Sequence, residues 1–595
     1  MSDTGRLFDP GPAPGAVDAP DTLQSTTVPV DGTVVRVLPD VSGLDKEFDY
    51  VVPHAMSGPV EVGTEVRVEL NGRRVNGWIV AVDPPDAMAG PVQPVLAIRS
   101  VGPGPEVVEL ARWAAHRWQG RVGAILKTAS PPRVIRSLQR PSFRPPPVPR
   151  SDVSVIRHGP GDDVLGWLAE AAERGSALVV VPSLQQARSL AGRLRRRNIA
   201  ARVHPDDWAA AAGRGGVVIG ARSAVWATVA DLATIIVVDE HDEAHQNYQH
   251  PTWHARDVAV ERARRAGIGC WLLSPAPTLE ALAVADHQRS PARARERAAW
   301  PVVEVIDRRD DEPGRRGLFS SRLVEVLRST GPALAVLNRK GRAVMLACGA
   351  CGEPALTLDG ERMMTERDGR LACVATGEER PLVCTRCGST KLKRLRLGVT
   401  RAAEELSALL GESVDELSAD HRPDDTAGHS RVVVGTEAAL HQLPRARTVA
   451  FLDFDQELLA PRYRAAEQAM VLLVRAAQLV GGRDGGGHIL VQTRAPGHRV
   501  LDAAVLADPG RLADGEREIR RAMGFPPFGA LAELSGAGAA ELAAALETAG
   551  HTVLGPRDDE RYLLRADDGD ALADALADAP RPAGRVRVAV DPLRA

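Results

Sequence analysis

From residue 151 onward the chain alternates short apolar runs with helical stretches, and it does so twice. The first series contains ALVVVPS (177–183), LQQARSLAGRLRRRN (184–198), GVVIGA (216–221), TIIVVDE (234–240) and GCWLLS (269–274); the second contains ALAVLN (333–338), RVVVGT (431–436), TVAFLDFD (448–455) and HILVQT (488–493). Runs that are apolar throughout belong to strands covered on both faces, and the helices between them are the crossovers that parallel strands require. The expected fold class is therefore multidomain α/β. A first lobe is expected over 151–298, and a second over 299–346 and 398–500.

Other chemistry surrounds these lobes. Residues 1–27 are rich in Gly, Pro and Asp without periodicity and are expected to be a disordered leader. From 28 to 100, short β-branched runs (TVVRVL, FDYVVP, TEVRVEL, GWIVAV) and the Asn71-Gly72 turn predict a small β-rich domain. Residues 101–130 hold a helical stretch with Trp113 and Trp118 that would suit a winged-helix-like unit. Residues 131–150 contain seven prolines, five arginines and no acid. They read as an extended linker, suited to a phosphate backbone or simply solvated. A mixed helical and strand region, 501–595, closes the chain.

Length and charge limit the function classes. At 595 residues about four domains are expected. A net charge of −3 excludes a wholly basic nucleic-acid coat. No apolar run reaches the ~18 residues of a membrane span, and the acidic N-terminus is unlike a signal peptide. A cytoplasmic protein with no membrane partner is the expectation.

Five of six cysteines fall between Cys348 and Cys387. Cys348-x2-Cys351 and Cys384-x2-Cys387 can each turn two thiolates toward one tetrahedral ion, which points to one zinc in an insertion over 347–397. A redox pair or a chance arrangement is the alternative. Cys373, with Thr376 where a second thiol would stand, reads as a leftover core thiol or a further ligand. Just beyond, Lys391, Lys393, Arg394 and Arg396 form a strip that suits phosphate contacts or a solvated edge.

The run TIIVVDE ends in Asp239 and Glu240, where an α/β nucleotidase presents an Asp to magnesium and a Glu to the attacking water. Such a box needs a glycine loop ending in Lys-Ser/Thr to hold the phosphates. The chain has five lysines, and none lies between Lys127 and Lys340. The nearest glycine turn, His158-Gly159-Pro160-Gly161-Asp162-Asp163, offers a proline without an N–H and two carboxylates that repel phosphate. Gly481 to Gly487 also lacks the lysine. Binding of ATP and magnesium is accordingly doubtful.

Several longer motifs carry a family resemblance: FDYVVP (48–53), VIGARSAVWA (218–227), DEHDEAHQNYQHPTWHARDVAVERA (239–263), LNRKGRA (337–343), LDFDQELLAPRYRAAEQAM (452–470), GFPPF (524–528), the CxxC pairs and the closing VRVAVDP. From about residue 28 to the end the chain resembles the PriA family of primosomal replication-restart proteins. The resemblance implies a superfamily-2, 3′-to-5′ helicase architecture: a domain that captures the 3′ end of a leading strand, a winged helix, two RecA-like lobes, a zinc-binding insertion and a small C-terminal domain. It implies recognition of abandoned forks and D-loops, and assembly with primosome proteins, the replicative helicase or its loader, and single-stranded DNA-binding protein, near the nucleoid. Phe48 and Asp49 match the segment that holds the 3′-terminal nucleotide, whereas the lysine expected near 92–95 is Gln93.

The departures fall on ATP chemistry. The phosphate loop has lost its lysine and hydroxyl, and the Asp-Glu box is one residue short. Ser274-Pro275-Ala276-Pro277-Thr278 replaces a Ser-Ala-Thr-Pro-Ser motif, and Leu479 and Gly482 occupy the two arginine positions of the segment 475–482. Only the outer two of the family's four cysteine pairs are intact. The expectation is a fork-binding restart protein without helicase activity of its own and with no catalytic residue, Asp239 and Glu240 being remnants. An active ATP-dependent helicase with its phosphate site near Arg157-His158-Gly159 or Arg339-Lys340 is the rival, and ATP binding without turnover lies between.

Overall fold

The computed structural model describes residues 31–87, 92–138, 152–309, 318–337, 345–348, 350, 355, 364–367, 369–372, 378–395, 397–417, 430–556 and 560–594. The expected leader lies outside them, as do the linker from 139 to 150, Arg339, Lys340, Cys351 and Cys373. The chain forms two compact units, up to Ser100 and from Val101.

The first unit is one sheet of β1 (Gly32–Pro39), β2 (Phe48–Pro53), β3 (Glu65–Leu70), β4 (Arg73–Val82), β5 (Gln93–Pro94) and β6 (Ala97–Ser100), in the order β5-β2-β1-β4-β3-β6. All neighbours are antiparallel except β2 and β5. Alternating residues Val35, Val37, Tyr50, Val52, Val66, Val68 and Ile79 bury one face of it, the period-2 pattern of a half-covered sheet. Gly77 pairs with Pro39 at the end of β1, where the strands run close: a Cβ there would lie 2.6 Å from the Leu38 carbonyl oxygen.

The second unit opens with α1 (Pro105–Arg117) and α2 (Val122–Ala129). The pair carries no strands of its own among the described residues, so the expected winged unit is here a two-helix pair. It docks on the first lobe: the Trp208 indole donates to the Ala129 carbonyl (2.8 Å) and the Gly104 amide to the Thr228 hydroxyl (3.0 Å). Residues 131–138 of the linker follow it, with Ile135 and Leu138 packed on Val101 and Trp208.

The first lobe is a seven-stranded parallel sheet. Its elements are β7 (Val153–Arg157), α3 (Leu165–Arg174), β8 (Ser176–Val180), α4 (Leu184–Arg195), β9 (Ala201–Val203), α5 (Trp208–Arg214), β10 (Val217–Gly220), β11 (Leu232–Val238), α6 (Ala255–Ala266), β12 (Gly269–Ser274), α7 (Leu279–Val284), β13 (His287–Arg289) and α8 (Arg293–Ala299). The order is β13-β7-β12-β11-β8-β10-β9. β8, β10 and β12 are buried along nearly their whole length.

The second lobe repeats the plan with six parallel strands in the order β14-β24-β23-β15-β22-β21. In the chain these come as β14 (Val302–Asp307), α9 (Ser321–Ser329), β15 (Ala333–Val336), then the insertion strands β16 (Met345–Cys348), β17 (Thr365–Arg367), β18 (Arg370–Ala372), β19 (Glu379–Pro381) and β20 (Leu392–Leu395). After these follow α10 (Leu397–Leu410), β21 (Asp415–Leu417), β22 (Val432–Gly435), α11 (Ala439–Gln442), β23 (Thr448–Phe451), α12 (Asp455–Leu458), α13 (Ala465–Val480), β24 (His488–Thr493), α14 (Arg499–Val505) and α15 (Pro509–Met523). Val500, Leu501, Ala503, Ala504 and Leu512 lie in the core of this lobe, so α14 and the start of α15 pack with it.

A last sheet, β26-β27-β25-β28, is built from β25 (Ala530–Ser535), β26 (Thr552–Leu554), β27 (Tyr562–Ala566) and β28 (Arg587–Val590), with α16 (Ala539–Thr548) and α17 (Gly569–Asp578). It is stitched to α1 by His116 on Asp574 (2.9 Å) and Arg117 on Asp591 (2.9 Å). Burial pushes the Asp591 carboxyl up, with Arg117 partly opposing. Among the described residues no helix is long and apolar enough to cross a membrane.

Candidate functional site

Parallel strands all end on one edge of their sheet, so the loops after β7, β8, β11 and β12 gather there, the usual location of a ligand crevice in open α/β sheets. In this chain the loops after β7, β8 and β11 face α13 of the second lobe across a cleft of about 960 Å³, lined among others by His158, Asp162, Asp163, Gln186, Asp239, Asp242, Glu243, Arg475 and Gln478.

The loop between β7 and α3 is closed upon itself. The Gly159 amide donates to the Asp162 carboxylate (2.8 Å), the Asp162 amide to the Gly159 carbonyl (3.0 Å) and the Leu165 amide to the Asp163 carboxylate (3.1 Å). Asp163 also holds Arg193 at 2.5 Å. A phosphate cradle works through backbone N–H groups left free at a helix N-terminus; here two are taken by the loop's own carboxylates and Pro160 has none. A Cβ on Gly159 would lie 2.3 Å from the Ala299 methyl, so α8 closes over the turn. Arg157 is engaged with buried Glu296 at 2.9 Å, and His158 is buried with its Nδ1 against the Gly159 carbonyl.

β11 delivers Asp239 to the cleft in a left-handed backbone conformation (φ 51°), which Asp tolerates better than most residues. Two neutral amides occupy its carboxylate: Gln478 of α13 donates to Oδ1 (2.9 Å) and Gln186 of α4 to Oδ2 (3.3 Å). Glu240 turns the other way. Its side chain is fully buried, bonded to Arg256 (2.9 Å), the Thr278 hydroxyl (2.6 Å) and the Thr278 amide (3.2 Å). His241 reaches the Ser274 hydroxyl at 2.8 Å, and burial pushes its pKa down to about 4. The Ser-Pro-Ala-Pro-Thr segment thus ties the Asp-Glu box to the sheet from below.

Leu479 and Gly482, where the resemblance leads one to expect arginines, are both enclosed. Leu479 points into the second-lobe core. A Cβ on Gly482 would lie 2.5 Å from the Ala298 carbonyl oxygen, leaving no room for any side chain. Arg475, three residues before Gln478, pairs instead with Asp242 and lies 3.2 Å from His441 Nδ1.

In the insertion, β16 and β20 pair antiparallel, Cys348 opposite Leu392, and make a two-stranded stalk. β17, β18 and β19 form a small sheet over a core of Leu346, Ala355, Met364 and Leu371. The turn 384–388 brings the second knuckle back: the ligand atoms of Cys348, Cys384 and Cys387 lie within 4.8 Å of one another, with Cys348 and Cys387 Sγ at 3.4 Å. Zinc–sulfur bonds of ~2.3 Å put tetrahedral thiolates roughly 3.8 Å apart, so the three sulfurs fit such an ion. Lys391 is exposed, and β20 places Lys393 and Arg394 beside the site by backbone.

On the β-rich unit, Phe48 starts β2, half-buried against the core with the Lys46 ammonium 5.5 Å from its ring centroid. Asp49 faces Arg36 across β1, which donates to both carboxylate oxygens (2.8 and 3.2 Å) and to Asp86 (3.0 Å). Gln93 is exposed on β5 opposite Tyr50.

Residues 36–131 match the family model for a 3′DNA-binding domain (3′BD) of PriA. The replication restart protein PriA of Bacillus subtilis is 29% identical over 52% of this chain and 42% of its own length, and that of Treponema pallidum is 30% identical over 52% and 50%. The probable replication restart protein PriA of Mycobacterium leprae is 28% identical over 83% of this chain and 86% of its own. The chain is thus similar to PriA replication restart proteins along most of its length.

The PriA 3′BD match covers the sheet of the first unit together with α1 and α2, so the helical pair that the sequence reading set apart falls within that family model. The chain spans about half or less of the Bacillus and Treponema PriA proteins and most of the Mycobacterium one. Sequence reasoning singled out Phe48, Asp49, Asp239, Glu240 and the knuckle cysteines, of which the structure brings Cys348, Cys384 and Cys387 together. That reasoning missed Arg36, Gln186, Arg256 and Gln478, the side chains that occupy the carboxylates it singled out. Only a cross-strand register or an interlobe contact reveals them.

Proposed function

We propose that this PriA-like chain binds forked or branched DNA bearing a 3′ leading-strand end and serves replication restart by recruitment, not by unwinding. The reading rests on one observation above the rest: the loop that would cradle nucleotide phosphates is closed by hydrogen bonds to Asp162 and Asp163. The amides on Asp239, the burial of Glu240 against Arg256 and the filled space at Gly482 agree with it. An arginine finger alone is worth ~10³–10⁵ in rate, so a site without it, without the loop lysine and without the magnesium-binding hydroxyl has little left to accelerate hydrolysis. Phe48 offers a face on which a terminal base can stack, beside the cation of Lys46. Lys391, Lys393 and Arg394 would meet phosphates next to a knuckle holding one zinc through Cys348, Cys351, Cys384 and Cys387. Primosome proteins, the replicative helicase or its loader and single-stranded DNA-binding protein are the partners this role calls for.

The cleft's volume favours a second reading, ATP binding without turnover. Both are tested by ATP hydrolysis and fork binding measured together on the zinc-replete protein, with and without a fork carrying a free 3′ leading-strand end. Fork binding without stimulated hydrolysis, unchanged in Asp239→Asn, is expected. DNA-stimulated turnover that disappears in Asp239→Asn would overturn the scaffold reading.

A further inference from the structure

We infer that the two lobes are clasped at a fixed spacing by their own side chains, so that the spacing does not answer to nucleotide or DNA. This rests on the scaffold reading for its biological sense, and of the contacts that support that reading its argument shares only the one between Gln478 and Asp239. Three sets of residues cross between the lobes.

The first set is a buried square of charge. Glu280 on α7 of the first lobe meets Arg464, the N-cap residue of α13, and Arg520 of α15 (3.3 Å); Arg520 in turn holds Glu467 at 2.5 Å, and the Leu279 amide donates to Glu467 (3.1 Å). All four charged side chains are 14% exposed or less. Moving the lobes apart would pull Glu280 from both arginines and leave unpaired charges in a site from which water is largely excluded.

The second set is one face of α13. Gln468, Arg475 and Gln478 are spaced seven and three residues apart, which stacks them along one side of a helix. Each engages a different acid after β11: Gln468 donates to Glu243 (2.7 Å), Arg475 pairs with Asp242, and Gln478 donates to Asp239 (2.9 Å). Burial pushes the carboxyls of Asp242 and Glu280 up, and the facing arginines more than offset it and hold both below the ordinary carboxylate range. The third set is the end of β28 and the segment after it. The Leu593 carbonyl accepts from Gln468 (3.1 Å), Arg594 lies 3.7 Å from Glu243, and the Thr252 hydroxyl donates to the Val590 carbonyl (2.9 Å).

A two-lobe engine converts hydrolysis into movement by opening and closing the cleft between its lobes. Here the residues that would have to part are joined directly, and the acids that would face a nucleotide are the ones held by α13. The clasp therefore holds the two lobes as one body of constant geometry.

The test is an interlobe distance in the full-length, zinc-replete protein. Spin labels carried by noncanonical amino acids at Arg197 in the first lobe and Glu404 in the second, both exposed, spare the knuckle thiols; the distance is read by double electron–electron resonance. One narrow distribution is expected, unmoved by magnesium with a non-hydrolysable ATP analogue or by forked DNA. Arg475→Ala/Gln478→Ala, with folding checked by circular dichroism, should broaden it. A wild-type distribution that shifts or splits on adding nucleotide or fork overturns the clasp, and so does a folded double variant identical to wild type. Rigid lobes in a protein that hydrolyses ATP would sink the scaffold reading and keep the clasp; mobile lobes in a protein that does not hydrolyse would do the reverse.

Discussion

Replacing Arg256 by methionine tests whether Glu240 is a structural anion. The guanidinium bonds Glu240 and Thr278 on one side and Asp257 on the other (2.8 Å), and the Glu240 side chain is fully buried. Methionine fills the space of the stem but leaves Glu240 charged beneath α6 with only the Thr278 hydroxyl and amide as donors. Removing one partner of a buried ion pair costs about 3–5 kcal/mol, because the remaining charge is uncompensated. For a lobe of this size that lowers the melting temperature by roughly 6–20 °C. Adding Glu240→Gln removes the charge and keeps an oxygen for the Thr278 donors, so the double variant should recover most of the loss, a coupling that independent sites would not show. The assay is thermal unfolding by circular dichroism, with fork binding measured on each folded variant. A single variant within about 1 kcal/mol of wild type, or a second substitution that only adds to the loss, would refute the argument that Glu240 is held as half of an ion pair.

Other outcomes follow from particular groups. Cys348→Ser/Cys384→Ser should reduce zinc from one ion per chain to none by plasma mass spectrometry and expose the insertion to protease, since structural zinc contributes folding energy directly; unchanged metal content would remove the assignment. Burial holds His241 neutral with a pKa near 4, below its ordinary 6.5. The folded state therefore binds fewer protons in between, and stability complete above about pH 6.5 is lost on acidification, by about 2 kcal/mol between pH 7.5 and 5. Melting curves of His241→Gln should show a smaller drop over that window, and an equal drop would place the loss elsewhere.

The two lobes were legible because fully apolar strands separated by helices admit few arrangements, and the knuckles because thiol spacing carries its own geometry. The cleft was legible only by subtraction. A missing lysine can be seen in a sequence, but that Asp162 and Asp163 turn back on their own loop depends on a hydrogen bond two or three residues away and on α8 pressing on Gly159. Likewise Leu479 and Gly482 could be noticed as departures, while the carbonyl of Ala298 that excludes a side chain at Gly482 is contributed by a segment almost two hundred residues earlier in the chain. Arg520 gave no sign at all: inside GEREIRRAM it looks like any exposed helical arginine, and its burial between Glu280 and Glu467 arises only when α15 meets both lobes. Asp49 was found without its partner, because Arg36 lies across a strand pairing that spacing alone does not reveal.

The stalk of the metal insertion bears on how the protein becomes folded. The second lobe is interrupted between β15 and α10, and its strands on either side must find each other across everything from Met345 to Leu395. The entropy of closing so long a loop is spent before the sheet gains contacts. Because the insertion leaves and returns as neighbouring antiparallel strands, with Cys348 opposite Leu392, an ion ligated at its base would shorten the excursion to the equivalent of a hairpin. Removing the metal would then slow the refolding of a sheet that contains no metal ligand, and the order of events during synthesis would depend on zinc reaching the knuckles before β21, β22 and β23 are complete.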